Sequence, residues 1–110
     1  MPSCAAKANA VYSLLAADAD LAELIELFVS ELPARLRQIA DAAAVGDLET
    51  VARIAHQLKG AGGSHGFPQV GPPALKLEQA ARVTKSPPAI FAVLEELTEV
   101  CDRLRPGLPE

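Results

Sequence analysis

Apolar residues recur every three or four positions along four stretches of the chain, which is the spacing of one face of an α-helix. The first stretch begins after Asp20, a good N-cap residue, and ends at Gly46. Pro33 falls inside it and removes a hydrogen bond to the carbonyl of Val29, so we expect a kink or a short break there. The apolar stripe of this first helix comprises Leu21, Ile25, Phe28, Leu32, Leu36, Ile39 and Ala43.

The second and third helices are bounded by residues that start or stop helices. Asp47 should cap the second helix, which the glycine-rich run 62–66 ends. The third helix should start near Pro73, because proline suits a first turn, and should run to about Val83. Gly71, just before Pro73, also disfavours one continuous helix through this segment. The apolar face of the second helix comprises Leu48, Val51, Ile54, Ala55 and Leu58.

A fourth stripe follows the helix-start signal Ser86-Pro87 and extends to Leu104. Strand signals are absent. Four amphipathic helices with short connections predict an all-α fold, an antiparallel up-down four-helix bundle over residues 18–105. Residues 1–17 form an N-terminal extension and residues 106–110 a C-terminal tail. The extension has room for a short capping helix that would contain Val11, Leu14 and Leu15.

Composition narrows the class of protein. A chain of 110 residues suits one domain, and with three Phe, one Tyr and no Trp the core must consist of aliphatic side chains. A net charge of −4 without a basic block argues against nucleic acid as a partner. Cys4 and Cys101 have neither metal nor redox spacing, as in a reduced cytosolic protein. No signal peptide and no membrane-spanning run is visible, so we expect a cytoplasmic protein, by default a monomer.

His56 should lie on the exposed side of the second helix, because the apolar face is centred opposite it on an ideal helical wheel. On the same wheel, small residues and cations fall within about 60° of His56. The small residues would leave the surface around the imidazole bare, and the cations would flank it. The residues predicted to form this access and docking surface are Ala52, Arg53, Gly60 and Gly63, and Lys59 is the second cation beside it.

This combination favours a chemical role for His56. A bare surface lets the backbone or active site of another protein approach the imidazole, and nearby cations favour an anion there. A neutral imidazole is also a competent nucleophile. The pattern is typical of a histidine that carries a phosphoryl group and is docked by a partner. The alternative is a solvated surface histidine beside accidental glycines.

His65 should lie on the apolar side of the same helix, as a histidine of the core or of the helix end. A site that joins both imidazoles to one metal ion is not expected, because the rings point to opposite faces. No cluster of Cys or Asp supplies further ligands, so we predict no metal site.

The stretch AHQLKGAGGSHGF resembles the signature of the histidine-containing phosphotransfer (HPt) domain family, H-x-L-K-G with a further glycine downstream. The motif residues here are His56, Leu58, Lys59, Gly60 and Gly66. The upstream stretch that begins DLAELIELFVSELPARL is also similar to the family, including its proline. The resemblance covers roughly residues 18–104 and implies an up-down helical bundle with the phospho-accepting histidine on its second helix.

The resemblance implies a role for each matched residue. His56 would be the phospho-acceptor, with Nε2 attacking the phospho-aspartate of a response-regulator receiver domain. Lys59 would stabilise the phosphoryl charge, and Gly60 would give access. Glu78 stands where chemotaxis kinases of the family carry an acidic residue that hydrogen-bonds the other imidazole nitrogen and orients the ring. For Glu78 the alternative is a solvated carboxylate of the third helix.

The predicted function is therefore a phosphorelay intermediate that is not an enzyme. The chain has no nucleotide-binding loop and no carboxylate cage for Mg²⁺. We expect the receiver partner, or a hybrid sensor histidine kinase, to bring the aspartate and the Mg²⁺ that phosphoryl transfer needs. The alternative function is a helical adaptor that binds a receiver or kinase without carrying phosphate. Met1 and the Pro-rich end favour a free-standing protein over a module of a larger kinase.

Overall fold

Residues 10–108, the part of the chain that the computed structural model describes, contain four α-helices. These are α1 (Ala22–Ala44), α2 (Leu48–Ser64), α3 (Gly71–Gln79) and α4 (Pro87–Asp102). The helix α2 packs against α1 and α3, and α4 packs against the same two neighbours from the other side of the core. The predicted all-α class is confirmed for this part of the chain. None of its helices combines the length and the apolar character needed to cross a bilayer.

The first turns of α2 and α4 begin where the sequence predicts. The Asp47 carboxylate accepts hydrogen bonds from the backbone N–H of Thr50 at 3.2 Å and from its hydroxyl at 2.7 Å. Ser86 precedes Pro87, the first residue of α4. Asp20 does not cap α1, whose N-cap residue is Leu21. The backbone N–H of Asp20 donates instead to the Asp18 carboxylate at 3.0 Å. Asp18 thereby caps a short 3-10 turn that leads into α1.

Pro33 does not break α1, which runs without interruption from Ala22 to Ala44. Its ring lies on the exposed side of the helix. The neighbouring Leu32 and Leu36 are buried in the core. Burying a leucine side chain contributes roughly 1.5–3 kcal/mol, so the packing on both sides of the proline offsets the one hydrogen bond it removes. The expected break is therefore wrong.

The helix α3 starts earlier and ends differently than the sequence predicts. It begins at Gly71, directly after the 3-10 turn Pro68–Val70, so Pro72 and Pro73 both lie in its first turn. The first turn of a helix has no intrahelical partner for its N–H groups, so these prolines cost it no hydrogen bond. A break before Pro73 is therefore unnecessary.

Beyond Gln79 the helix widens into a π-helical turn, Ala80–Thr84. The backbone N–H of Lys85 donates to the carbonyl of Ala80 at 2.7 Å and closes this turn. Lys85 adopts a left-handed conformation with φ of 56°, which reverses the chain before α4. Val83, where the sequence predicts the end of the helix, lies inside this turn.

The N-terminal extension contains no helix within residues 10–17. Val11–Tyr12 (β1) pairs in parallel with Leu104–Arg105 (β2), just after α4. The Ser13 hydroxyl donates to the carbonyl of His65 at 2.5 Å, and the Leu14 N–H donates to the carbonyl of Gly66. These hydrogen bonds tie the extension to the ends of α2 and α4. The capping helix is therefore wrong here, as is the absence of strands, while residues 1–9 lie outside the described part.

The core lies between the four helices and is built almost entirely from aliphatic side chains, as the composition predicts. Its largest fully buried residues are Phe67, Ile25, Ile39, Leu58, Leu77, Ile90, Leu97, Leu104, Val51 and Val70. Val51 and Leu58 of this set pack one face of α2 against the core, and the opposite face of the helix is exposed to solvent. That exposed face carries the candidate functional site.

Candidate functional site

His56 stands on the outer face of α2, with 61% of its side chain exposed. The residues that hold this helix in place, Val51, Ile54 and Leu58, are buried beneath it. Their spacing therefore fixes which face of α2 points outward, and the helical wheel predicts the exposure of His56 correctly.

Glu78 lies beside His56, although the two residues come from different helices. Its Oε1 is 3.2 Å from Nδ1 of the imidazole, and only 14% of its side chain is exposed. The close packing of α3 on α2 produces this pair. A solvated carboxylate on the outside of α3 would not be so covered.

Arg82 completes a chain of three side chains. Its Nε donates to Oε2 of Glu78 at 3.2 Å, so each carboxylate oxygen has one partner. Arg82 was not among the site residues predicted from the sequence. The available signal was the spacing of Glu78 and Arg82, because an acidic residue four positions before a basic one commonly forms an ion pair on a helix.

The pKa of Glu78 lies below its ordinary value of 4.5. Partial burial acts to raise this pKa, but the hydrogen bonds from His56 and Arg82 and the nearby charges of His56 and Lys59 outweigh that effect. The carboxylate is therefore ionised at neutral pH. An ionised carboxylate only accepts hydrogen bonds, so Nδ1 of His56 must carry the proton. In the neutral ring the lone pair is then on Nε2.

Lys59 lies one turn after His56 on α2 and is partly buried. Its charge reaches Glu78, since it contributes to the lowered pKa of that carboxylate. Within residues 10–108, no carboxylate lies within ion-pair distance of its ammonium group. The ammonium group can therefore interact with an anion beside His56.

Two of the glycines leave the surface of α2 open. Gly60 and Gly63 are exposed, and a Cβ added to either would meet no other heavy atom within 4 Å. Gly62 differs, because it is buried and a Cβ there would lie 2.7 Å from Cβ of Val70. Gly66 has a φ of +82° and follows the end of the helix. The open surface and the helix end thus depend on different glycines.

The predicted placement of Ala52 on the exposed surface is wrong. Only 1% of Ala52 is exposed. It lines a cleft together with Ala81 and Arg82, because the π-helical turn after α3 covers this edge of α2. The exposed face of α2 is therefore rotated toward Arg53 and Gly60, which both lie in solvent as predicted.

His65 lies at the C-terminal end of α2 in a very different setting. Its ring stacks on Phe28 with 4.7 Å between the centroids, and its Nδ1 is 2.7 Å from the carbonyl of Ala61. Nδ1 donates to that carbonyl, so the ring satisfies a group at the helix end. The structure thus brings His56, Lys59 and Glu78 together, whereas His65 packs against Phe28.

The other reactive groups of the described residues do not add to this site. No three His, Cys, Asp or Glu side chains within residues 10–108 are placed to hold a metal ion. Cys101 is buried at the core, and this burial, with the nearby charge of Asp102, raises the pKa of its thiol to about 12. Such a thiol is protonated at neutral pH and unreactive.

Comparison with known proteins identifies the family of the chain. A model of the Hpt domain family matches residues 23–106, which is most of the chain and includes the site around His56. No match was found among curated proteins or among solved structures. The chain belongs to the Hpt domain family, whose members are phosphotransfer modules of two-component signalling.

Proposed function

We propose that this protein is a phosphorelay intermediate that accepts a phosphoryl group on His56 and passes it to a receiver domain. The group would come from the phospho-aspartate of another receiver or from a kinase. One observation carries the proposal: an exposed imidazole whose Nδ1 is held by the ionised carboxylate of Glu78 at 3.2 Å. This contact leaves the nucleophilic lone pair on Nε2.

This geometry supports the following transfer step. The Nε2 lone pair attacks phosphorus, the N–P bond forms, and the bond from phosphorus to the aspartate oxygen breaks. The aspartate leaves as a carboxylate with the bonding electron pair. The imidazole becomes positively charged, and its Nδ1–H remains hydrogen-bonded to Glu78. The negative carboxylate stabilises that developing charge.

Lys59 is proposed to stabilise the phosphoryl group. Its position one turn from His56 lets the ammonium group approach phosphoryl oxygens, and no carboxylate within residues 10–108 pairs with it. Lys59→Ala should slow transfer roughly tenfold, since it removes one cation that stabilises the transition state. The helical circular dichroism should stay unchanged. A large loss of helicity would instead make Lys59 structural.

The partner surface is proposed to include the open face of α2 and part of α1. Arg53, Gly60 and Gly63 supply the open face. Leu24 and Leu27 are half-exposed on the part of α1 whose Phe28 contacts the end of α2, and they give the surface an apolar edge. The receiver would bring its aspartate and Mg²⁺, because within residues 10–108 the chain offers a nucleophile and a cation but no cluster of side chains placed to hold a metal ion.

We further propose that the four helices form an antiparallel bundle. The protein is proposed to be a monomer in the cytoplasm. Two contacts support the antiparallel arrangement of the first two helices. Phe28, near the start of α1, stacks on His65 at the end of α2. Arg35, further along α1, hydrogen-bonds Gln57, which lies earlier in α2. The monomeric state and the location remain predictions.

The test uses a receiver domain that has been phosphorylated beforehand with radioactive phosphate. Incubation with this protein should give a label that is stable in alkali and labile in acid, as expected for phosphohistidine. His56→Gln should abolish the label, whereas the matched variant His65→Gln should retain it. A label that persists in His56→Gln would refute His56 as the acceptor. Binding to receivers without any label would support the adaptor function instead.

A further inference from the structure

The carboxylate of Glu78 is held from both sides. Its Oε1 faces Nδ1 of His56 and its Oε2 accepts from Nε of Arg82, both at 3.2 Å. A glutamate side chain has three rotatable bonds, so contact with the imidazole alone would leave its far oxygen free to turn. The second contact fixes the plane of the carboxylate relative to the ring.

Arg82 lies near the surface, and Glu78 is the carboxylate with which its guanidinium forms an ion pair. It lies in the π-helical turn Ala80–Thr84, and 54% of its side chain is exposed. Turns of this kind are often found at functional sites. Arg82 is therefore not a core residue whose removal would empty a packed space. Its contact with Glu78 stays within α3 and the turn that follows, and the other oxygen of Glu78 contacts His56 on α2.

We propose that Arg82 is a positioning residue for phosphoryl transfer, because it holds the Glu78 carboxylate in the orientation that keeps the proton of His56 on Nδ1. This inference rests on the proposed function of His56. Arg82 acts through Glu78 and needs no contact with the phosphoryl group. An arginine suits the role, since the rigid guanidinium offers donors in a fixed geometry, which the ammonium of lysine does not.

The proposal predicts what happens when the guanidinium is removed. Glu78 would keep its partly buried position but lose one of its two partners. The carboxylate would then be free to rotate away from Nδ1. This rotation would allow the tautomer of His56 that carries its proton on Nε2. That tautomer lacks the lone pair needed for attack on phosphorus, so the reactive fraction of the protein would fall.

The experiment is NMR of the ¹⁵N-labelled, unphosphorylated protein, with long-range proton–nitrogen spectra that report the tautomer of His56. At a pH where the ring is neutral, the wild-type protein should show the proton on Nδ1. Arg82→Ala should give a mixture of tautomers, and Arg82→Lys should restore the wild-type pattern in part. An unchanged tautomer in a normally folded Arg82→Ala protein would overturn the proposal.

Lys76→Ala is the matched control. Lys76 is a cation of α3 with the same exposed fraction of 54%, and it pairs with Glu96 at 2.9 Å, away from His56. Its removal tests whether the loss of any surface ion pair near this turn disturbs the ring. The control should leave the His56 spectrum as in the wild type. An equal change in both variants would overturn the specific role of Arg82.

Transfer rates separate this inference from the function on which it rests. With a phosphorylated receiver, Arg82→Ala should be labelled roughly three- to tenfold more slowly than the wild type, in proportion to the lost tautomer. A slower rate with an unchanged tautomer would overturn positioning and make Arg82 a docking residue. If the wild type takes no label from any receiver, the proposed function fails, while the tautomer measurement still decides the effect of Arg82 on Glu78 and His56.

Discussion

His56 and His65 lie on or at the end of the same helix and differ in almost every physical respect. His56 is exposed and pairs with an ionised carboxylate from another helix, at 3.2 Å. His65 is partly buried, stacks on Phe28, and donates to the backbone carbonyl of Ala61. The imidazole is the same in both places. The face of the helix and the partner of Nδ1 decide whether the ring is available for chemistry or used for packing.

The glycines of α2 show the same division. Gly62 faces inward and allows the close approach of Val70, whereas Gly63 faces outward onto open surface. Adjacent positions on a helix point about 100° apart, so one step along the chain moves a residue from the core to the docking face. Substitutions at such pairs therefore test which side serves stability and which serves the partner.

The largest effect should come from Gly62→Val. A Cβ at this position would lie 2.7 Å from Cβ of Val70, so the neighbouring 3-10 turn must shift. We expect a loss of about 3 kcal/mol in the free energy of unfolding, typical of strong overpacking. Gly63→Val is the control, where the change should stay within about 0.5 kcal/mol. Urea denaturation measures both, and equal losses would contradict the assigned faces of α2.

His65→Ala should have the next largest effect on stability. The variant loses the ring stacked on Phe28 and the hydrogen bond to Ala61, which together should lower the free energy of unfolding by about 1–2 kcal/mol. Labelling by a phosphorylated receiver should continue in the folded protein. His56→Ala should show the reverse, with stability nearly unchanged and no label. A His65→Ala protein that keeps the stability of the wild type but takes no label would contradict this contrast between the two histidines.

The smallest effect concerns the pH dependence of the stability that the Glu78 carboxylate contributes. The pKa of Glu78 is lowered in the folded protein, so this carboxylate stabilises the fold above its ordinary pKa of 4.5. That contribution is lost as the pH falls through the lower folded value. The stability difference between wild type and Glu78→Gln, measured in urea, should therefore shrink as the pH falls below 4.5. A difference that grows with acidity would contradict the lowered pKa.

Local sequence signals predicted the parts of the molecule that depend on neighbouring residues. The capping of α2 by Asp47, the start of α4 at Pro87 and the outward face of His56 all follow from spacing within one helix. The position of Glu78 beside His56 was harder to predict from the sequence, because it depends on how α3 packs against α2. There the family resemblance supplied the register that periodicity alone did not.

The features that the sequence did not predict depend on contacts between distant segments. Ala52 is covered by the turn after α3, which a wheel drawn for α2 alone does not include. Val11 and Tyr12 pair with Leu104 and Arg105 at the far end of the chain, where no local pattern marks a strand. Arg82 reaches Glu78 by ordinary helical spacing, but its relevance appears only once Glu78 is seen beside His56.

The most direct test of the central claim is to locate the phosphorus atom itself. The ¹⁵N-labelled protein is phosphorylated through a receiver domain and examined by NMR for coupling between phosphorus and the imidazole nitrogens. The account predicts coupling to Nε2 of His56, with the resonances of His65 unchanged. Phosphorus on His65, or on Nδ1 of His56, would contradict it.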